Sequence, residues 1–407
     1  MKIILLTELF YIKVNVFEIM ERAKRKILFI WLQFSFFLIY LFIYCYSIFF
    51  KKKTKYGEKI AAVWYTPEGA PGSNLRLGKW KEYFLKDGVH YDNFPCYSFK
   101  EYVEYFLEGT WSNRYWFYWK LLLRRFRQFF SLRHYDIVWI DRGYIPLYPL
   151  STAFFERCIK KMGLKVIIDT TDGEDYQSNP RLMTDVIQQA DVVTVADKYL
   201  YEFYSEKHNH VYRINWTIPT ENYIVKSNYN FRETLPVIGW MGDPINGFYL
   251  EQLSTVLERV AKQHPFILRY MCRVQLRINI PSARIDNFQF DDYYAIIETF
   301  DIGICPFLEK NMSNKGKIAM KNQEFMLCAI PQVCSQVAVS EHLVNFESAM
   351  IADSEKEWEN YLIALIENQN LRQKVGTNSR KIFIENYLYE NEFPKLKKAL
   401  LSPNEME

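Results

Sequence analysis

The chain has 407 residues, 49% of them hydrophobic, and a formal net charge of +4 at pH 7. This length suits two domains of ordinary size, each with its own core, and the mild charge gives no electrostatic case for binding nucleic acid. The 7 cysteines include no C-x-x-C pair, and several lie within apolar runs. We therefore expect a reducing compartment, with neither a disulfide framework nor a zinc site.

An uncharged apolar run occupies residues 27–50, between the basic segments RAKRK and KKKTK. As a helix it would measure about 36 Å, which exceeds a hydrocarbon core of about 30 Å. We expect residues 1–26 to form a basic N-terminal segment and residues 27–50 a single tilted transmembrane helix. A signal peptide is disfavoured because no small-x-small cleavage pattern follows, and a helix lying in the membrane interface because apolar residues occupy every face. Both flanks are basic, so the positive-inside rule gives no orientation.

A first α/β domain is predicted for residues 58–225. It opens with the strand pattern KIAAVWYT, a glycine-rich loop and a helical pattern, the order in which Rossmann-like domains begin. Further strand patterns, YDIVWID, KVIIDTTDGED and ADVVTVADKYLYEF, alternate with helices and predict a parallel sheet. The glycine-rich loop could approach an anionic group, with a structural turn as the alternative. The loop residues concerned are Gly69, Gly72, Ser73 and Arg76.

A second Rossmann-like domain is predicted for residues 235–380. The polar stretch NYIVKSNYNFRETLP marks a linker, after which VIGWMGDPINGFYLEQL restarts the order of strand, loop and helix. Residues 381–407 are expected to form a last helix and a tail.

A phosphate site is predicted within DIGICPFLEKNMSNKGKIAMKNQEFMLCAIPQVCS, residues 301–335, where two strand patterns enclose a basic loop and a helix. Lys317, Lys321 and Glu324 are spaced i, i+4 and i+7, so in a helix they share one face that begins at the N-terminus. Helix N–H groups and ammonium groups suit a diphosphate, and the carboxylate can accept hydrogen bonds from ribose hydroxyls. A solvated helix face is the alternative.

The run from Asp301 to Val344 resembles the donor-binding segment of the family-4 retaining glycosyltransferases. The family pattern in this branch reads roughly D-x-G-x-x-P, K-G-K, K-x-x-[EQ]-[YF]-M and G-[IL]-P-V. It is matched in order by Asp301, Gly303, Pro306, Lys315, Gly316, Lys317, Lys321, Glu324, Phe325, Met326 and Pro331.

The chain departs from the family's E-x7-E signature at its first glutamate. Gly316 stands at that position, where the family's residue normally touches the donor sugar. The second glutamate is present as Glu324, and Ala329 replaces a glycine.

The resemblance implies the GT-B fold, in which an N-terminal acceptor domain and a C-terminal nucleotide-sugar donor domain, both Rossmann-like, face a cleft. It also implies that the last helix crosses back over the N-terminal half and that the glycine-rich loop faces the cleft. The loop containing Gly242 and Asp243 resembles the family's phosphate loop, but Asp243 and Asn246 replace the cations that many members carry there. The diphosphate charge is then expected to be met mainly by Lys315, Lys317 and Lys321.

Acidic residues crowd the end of one predicted strand in the first domain. Asp172 and Glu174 loosely imitate the D-x-D pair of metal-dependent sugar transferases. That architecture places its motif at the centre of a single nucleotide-binding domain, whereas the phosphate segment here lies far downstream, so no metal site is expected. Asp172 remains a candidate for orienting the acceptor hydroxyl, with helix N-capping as the alternative.

The expected function is a membrane-anchored hexosyltransferase that moves a sugar from a nucleotide diphosphate sugar to a hydroxyl of a glycan or lipid-linked glycan, with retention. Lys321 and Asp172 are the predicted catalytic residues, and preplaced ammonium groups would stabilise the leaving diphosphate without a metal or other cofactor. The expected partners are the nucleotide sugar, the acceptor and the membrane, with the catalytic region in the cytoplasm. The alternatives are a non-catalytic membrane-tethered scaffold, a nucleotide-sugar binding protein and, third, a sugar-nucleotide epimerase.

Overall fold

The computed structural model describes residues 2–51, 59–147, 151–317 and 320–402, with side chains from Lys24 onward. The start predicted for the first domain, at residue 58, and residues 403–407 of the predicted tail lie outside the described residues. The chain divides into two compact units. The N-terminal unit comprises residues 1–149 and 153–166, and the C-terminal unit comprises residues 150–152 and 167–407.

The described strands are short, and most of them are buried. They are β1 (Lys59–Val63), β2 (His90–Phe94), β3 (Ile137–Asp141), β4 (Lys165–Thr170), β5 (Val192–Val195), β6 (Val211–Arg213), β7 (Val237–Met241), β8 (Ile267–Met271), β9 (Arg284–Phe288), β10 (Ile302–Cys305), β11 (Gln332–Ser335) and β12 (Met350–Ala352).

These strands form two six-stranded sheets, ordered β2-β1-β3-β4-β5-β6 and β12-β11-β10-β7-β8-β9. Each described ladder is parallel. The inner strands β3 and β7 are buried at every residue, which is why they read as continuous apolar runs in the sequence. The prediction of two α/β halves in series with parallel sheets is confirmed.

Helices connect the strands and cover the sheets. They are α1 (Lys2–Phe49), α2 (Pro71–Ser73), α3 (Trp80–Lys86), α4 (Phe99–Glu101), α5 (Trp111–Ser131), α6 (Phe154–Lys161), α7 (Gly173–Ser178), α8 (Pro180–Gln189), α9 (Lys198–Ser205), α10 (Pro244–Gln252), α11 (Ser254–Gln263), α12 (Tyr293–Glu298), α13 (Met312–Lys315), α14 (Met320–Leu327), α15 (Glu355–Glu367), α16 (Gln369–Asn386) and α17 (Tyr389–Leu401).

Helix α1 joins the predicted basic segment 1–26 and the predicted apolar helix 27–50 into one element. Between Lys24 and Phe49 it is long and apolar enough to cross a membrane, by length and composition. One face of this segment is buried against the N-terminal unit, at Phe36, Ile39 and Ile43.

The last helix, α17, packs against the first sheet within the C-terminal unit. Its Glu392 is fully buried and accepts hydrogen bonds from the backbone N–H of Asn215 at 2.9 Å and from its Nδ2 at 3.3 Å. Asn215 lies just after β6, so the end of the chain completes the surroundings of an early strand.

Candidate donor site

The ammonium group of Lys321 is buried between two aromatic rings. Its Nζ lies 4.7 Å from the ring centroid of Trp240 and 5.2 Å from that of Phe307, and it has no hydrogen-bond partner among the described residues. Trp240 lies on β7 and Phe307 follows β10, so the carboxyl ends of two neighbouring strands supply both rings. Burial lowers the pKa of Lys321, and repulsion from Lys317 adds to this effect.

A buried cation that lacks an anion is costly, so the arrangement suits an anionic ligand. Cation–π contacts with the two rings offset part of that cost but leave the N–H donors of Lys321 unpaired. A diphosphate oxygen would supply the missing acceptor through a charge-assisted hydrogen bond.

Gly242 lets the backbone of the predicted phosphate loop come close to this ammonium. A Cβ built at Gly242 would lie 3.3 Å from Lys321 Nζ and 2.9 Å from the Trp240 ring. Asp243 is exposed, and its Oδ1 lies 3.9 Å from Nε of Arg273. Arg273 follows β8 and is a cation near this loop that the sequence analysis did not identify.

The predicted helical face can be followed from Met320, where helix α14 begins among the described residues. Lys321 and Glu324 lie on this helix, whereas Lys317 forms an isolated antiparallel bridge with Asp172. Residues 318–319, between Lys317 and the helix, lie outside the described residues, so a helical face shared with Lys317 stays a prediction.

Lys317 and Lys315 nevertheless reach a common cavity of about 480 Å³. Nζ of Lys317 donates to Oδ1 of Asn246 at 3.3 Å, and Lys315 is exposed at the end of α13. The cavity is also lined by Asp197, whose Oδ1 caps α9 through Leu200 N–H at 2.9 Å. Burial raises the pKa of Asp197 to about 6. Lysines and three carboxylates, those of Asp197, Glu202 and Glu341, thus line one cavity in the C-terminal unit.

Asp172 contacts the loop that contains Gly316 and Lys317 through its backbone. It pairs with Lys317 in the isolated bridge, and the N–H of Gly173 donates to the carbonyl of Gly316 at 3.1 Å. The Asp172 carboxylate accepts a hydrogen bond from the N–H of Glu174 at 3.1 Å, so it caps α7. The N-cap alternative is therefore observed, and a role toward an acceptor stays a prediction.

Gly316 occupies a place where a side chain does not fit. A Cβ there would lie 2.8 Å from Cδ2 of Leu200 and 3.0 Å from both N and Cα of Gly173. The loops at Gly173 and Gly316 are therefore in close backbone contact, and a larger side chain at position 316 would require one of them to shift. The altered signature stays a prediction.

Glu324 lies inside the protein and not at the surface, where a ribose contact would place it. It is 3% exposed, and its Oε1 accepts hydrogen bonds from the hydroxyl of Tyr223 at 2.7 Å and of Tyr293 at 2.5 Å. Burial raises the pKa of Glu324, while the two tyrosine hydroxyls oppose that shift. The linker and α12 each bring a tyrosine over the carboxylate, so Glu324 is enclosed among the described residues, and its contact with a ribose stays a prediction.

The glycine-rich loop of the N-terminal unit is tightly folded on itself. Ser73 is fully buried: its Oγ accepts from the N–H of Thr66 at 2.9 Å and donates to Oδ2 of Asp141 at 2.5 Å. Arg76 is 3% exposed. Gly69 has φ +90 and a Cβ at Gly72 would lie 2.6 Å from Thr66 Cγ2, so the structural-turn alternative is observed. An acceptor-side role of Gly69, Gly72, Ser73 and Arg76 stays a prediction.

No family model and no curated protein matches this chain. Solved structures do match in fold. Sucrose-phosphate synthase from Thermosynechococcus elongatus aligns with TM-score 0.62 and 12% identity over 84% of this chain and 98% of that one. Anabaena HepE, in complex with UDP and glucose, aligns with TM-score 0.58 and 12% identity over 84% and 99%. A glycosyltransferase from Rickettsia africae aligns with TM-score 0.56 and 11% identity over 86% and 100%.

The fold is GT-B. The fold class predicted from the sequence is thereby confirmed, whereas membership of family 4 stays a prediction. Lys321 lies where two central strands of the second sheet, β7 and β10, end. Sequence reasoning missed Trp240 and Phe307, which enclose Lys321. The signal available for both was their position at or just beyond the carboxyl end of a buried strand, where ligands of parallel sheets bind.

Proposed function

We propose that this GT-B protein is a glycosyltransferase that moves a hexose from a nucleotide diphosphate sugar to a hydroxyl acceptor with retention. The observation that carries the proposal is the buried Lys321 ammonium, which has no hydrogen-bond acceptor among the described residues. A free carboxylate or phosphate monoester could also pair with it. Lys315 and Lys317 line a cavity that Lys321 does not reach and that also carries the carboxylates of Asp197, Glu202 and Glu341; its lysines suit a ligand with more than one anionic group.

The chemistry follows from where charge develops. As the sugar leaves, negative charge grows on the diphosphate, and preplaced ammonium groups stabilise it most when it is largest. Lys321 would act on that charge directly, with Lys317 and Lys315 at the more open side, and we propose that no metal or other cofactor is required. HepE has been solved with UDP and with UDP-glucose, which supports a nucleotide sugar as the donor here.

The acceptor is proposed to be a glycan or a lipid-linked glycan, with Asp172 as the residue that orients its hydroxyl. Helix α1 would attach the protein to a membrane, with the catalytic region on the cytoplasmic side, where nucleotide sugars are made.

A screen of nucleotide sugars by thermal unfolding tests the donor site. A ligand at 100 times its dissociation constant should add about 2.7 kcal/mol to the free energy of unfolding. In Lys321→Ala this gain should largely disappear. Lys381→Ala is the matched control, because the Lys381 side chain is 76% exposed on α16 and its removal should leave the gain intact. Equal stabilisation of all three proteins would refute the assignment of Lys321.

A non-catalytic nucleotide-sugar binding protein is the second candidate, and the closed contact at Gly316 favours it, because the family's first glutamate has no counterpart here. Incubation with acceptor and a stabilising nucleotide sugar distinguishes the two. The transferase releases free nucleotide only when acceptor is present, and the binding protein releases none. Interconversion of the sugar without acceptor would instead indicate an epimerase.

A further inference from the structure

Helix α1 lies lengthwise along α5 in the N-terminal unit. The contacts advance along both helices in the same direction. On α1 they extend from residue 25 to residue 46, a length of about 32 Å at 1.5 Å per residue, which is almost the whole apolar segment. The pairs, by distance to the ring centroid, are Arg25 with Trp111 at 5.1 Å, Phe36 with Tyr118 at 6.1 Å, Phe42 with Phe126 at 6.5 Å and Tyr46 with Phe130 at 4.7 Å.

Helix α6 holds the same helix from a second side. The rings of Tyr40 and Phe154 lie 4.3 Å apart, and Nζ of Lys161 lies 4.5 Å from the ring of Tyr44. Ile43, between the two tyrosines, is fully buried. One face of α1 is therefore part of the packed interior of the N-terminal unit and is not available to lipid.

The opposite face of α1 is a continuous apolar surface. Phe34, Phe37, Leu41 and Ile48 are between 44% and 62% exposed. A surface of this extent is unusual for a soluble monomer and indicates a partner. Its ends are basic, with exposed Lys24, Arg25 and Lys26 at one end and Lys51 at the other, which suits anionic headgroups.

A membrane-spanning position conflicts with the packing against α5. That helix carries Arg124, which pairs with Glu101 at 2.7 Å, and Arg125, which is fully buried and donates to the carbonyl of Phe94 at 2.9 Å. If the apolar segment crossed the hydrocarbon with these contacts intact, α5 and its charged groups would enter the hydrocarbon too. Charged groups inside a bilayer are costly, and so are the unpaired backbone groups of the adjoining loops.

We propose that α1 lies in the plane of the membrane surface, with its inner face held by α5 and α6 and its outer face inserted at the boundary of headgroups and acyl chains of an anionic bilayer. The partner is the lipid surface itself. This replaces the single crossing expected from the sequence, and it does not depend on the proposed transferase activity.

Disulfide cross-linking tests whether the inner face stays packed on the membrane. In the full chain with Cys45→Ala, the pair Tyr40→Cys and Phe154→Cys should cross-link both in detergent and on vesicles of phosphatidylcholine and phosphatidylglycerol. The pair Leu38→Cys and Phe154→Cys is the matched control and should not, because Leu38 is exposed and lies about 160° around the helix from Tyr40. Cross-linking of the first pair in detergent but not on vesicles would overturn the proposal.

Quenching by lipids that carry a quencher at defined depths tests the orientation. A fluorophore is attached at Ile30→Cys, at Phe37→Cys or at the native Cys45, all on the exposed side of α1; the first two variants also carry Cys45→Ala. The three positions should lie at one shallow depth, about 5–10 Å below the headgroups. If the fluorophore at residue 37 lies deepest in the bilayer and those at residues 30 and 45 lie near its surfaces, the helix crosses the membrane and the proposal is refuted.

Discussion

At the scale of single residues, Lys321 is the group in which stability and function oppose each other. Its ammonium is buried against Trp240 and Phe307 without a hydrogen-bond acceptor among the described residues. In the unliganded protein this arrangement costs free energy, and a bound diphosphate would remove the cost. Groups of this kind mark functional sites, because packing alone gives no reason to retain them.

Replacement of Lys321 by methionine should separate the two effects. We expect Lys321→Met to raise the free energy of unfolding by about 1–3 kcal/mol, because an apolar chain replaces an unpaired cation. Nucleoside diphosphate affinity should fall roughly ten- to a hundredfold, the equivalent of one charge-assisted contact. Urea unfolding and nucleotide titration measure the two effects. A variant that loses stability and keeps nucleotide affinity would contradict the assignment.

The effect of Lys321→Met on stability should depend on pH. The pKa of Lys321 is lowered in the folded protein from 10.5, so the unfolded chain binds more protons between the two values and stability rises with pH there. The difference in free energy of unfolding between Lys321→Met and the wild type should be largest below the folded-state pKa of Lys321. It should shrink as the pH rises from that pKa toward 10.5. A difference that is constant with pH would mean that the pKa of Lys321 is the same in the folded and the unfolded protein, which would contradict the lowered pKa.

Gly316 gives a second prediction at this scale. Gly316→Ala should lower the free energy of unfolding by about 1–3 kcal/mol, because its Cβ would overlap Leu200 and the backbone of Gly173. Gly316→Glu should cost more and should not increase turnover. Gly143→Ala serves as the control, since its Cβ would meet nothing nearer than 3.8 Å. If Gly316→Glu is stable and more active, the loop has room that the structure does not show.

At the scale of elements, α14 is fixed by hydrogen bonds that converge on one carboxylate. Glu324→Ala would leave the hydroxyls of Tyr223 and Tyr293 without their acceptor and should cost about 1–3 kcal/mol of stability. In a background of Tyr223→Phe and Tyr293→Phe the same change should cost less, since the hydroxyls are already gone. Equal costs in both backgrounds would show that these bonds do not hold the helix. Comparison of a 2′-deoxyribose donor with its parent in the wild type and in Glu324→Ala still tests the predicted ribose contact.

The inner strands could be predicted from the sequence, and the edge strands could not. The patterns for β1, β3, β4, β5, β7, β8, β10 and β11 were apparent because these strands are largely buried on both faces. The four strands at the sheet edges, β2, β6, β9 and β12, were not predicted. They are short or half-exposed, with polar sequences such as HYDNF and RIDNF, and the hydrophobic pattern fades where one side of a strand meets solvent.

The lysines at positions 315, 317 and 321 could be identified as candidates from the sequence, because cations beside glycine in a loop between strands are a local signal. Their surroundings could not, since Trp240, Tyr223 and Tyr293 are distant in sequence and their types are common in cores. Asp301 illustrates the difference. It matched a family motif, yet its observed contacts are an ion pair with Lys226 at 2.9 Å and a hydrogen bond from the N–H of Val237 at 3.0 Å, which tie the linker to β7.

At the scale of the whole molecule, cysteine burial determines how membrane sidedness can be measured. Cys45 is exposed, whereas the other cysteines are buried, so the native thiols that follow α1 are not accessible to a labelling reagent. Lys381→Cys in a Cys45→Ala background adds an exposed thiol on α16. An impermeant maleimide should label it only after cells are permeabilised, if the catalytic region is cytoplasmic. Labelling of intact cells would place that region outside.

The bond between Glu392 and Asn215 also sets an order of events during synthesis. The two residues are 177 positions apart, and at about 5–20 residues per second the ribosome needs roughly 9–35 s to make the intervening chain. Until then, the buried N–H of Asn215 has no carboxylate to bind, and the edge of the first sheet lacks the helix that packs against it. The N-terminal half therefore emerges from the ribosome long before α17 is made. A chaperone that shields nascent chains would need to cover β5 and β6 for the longest time.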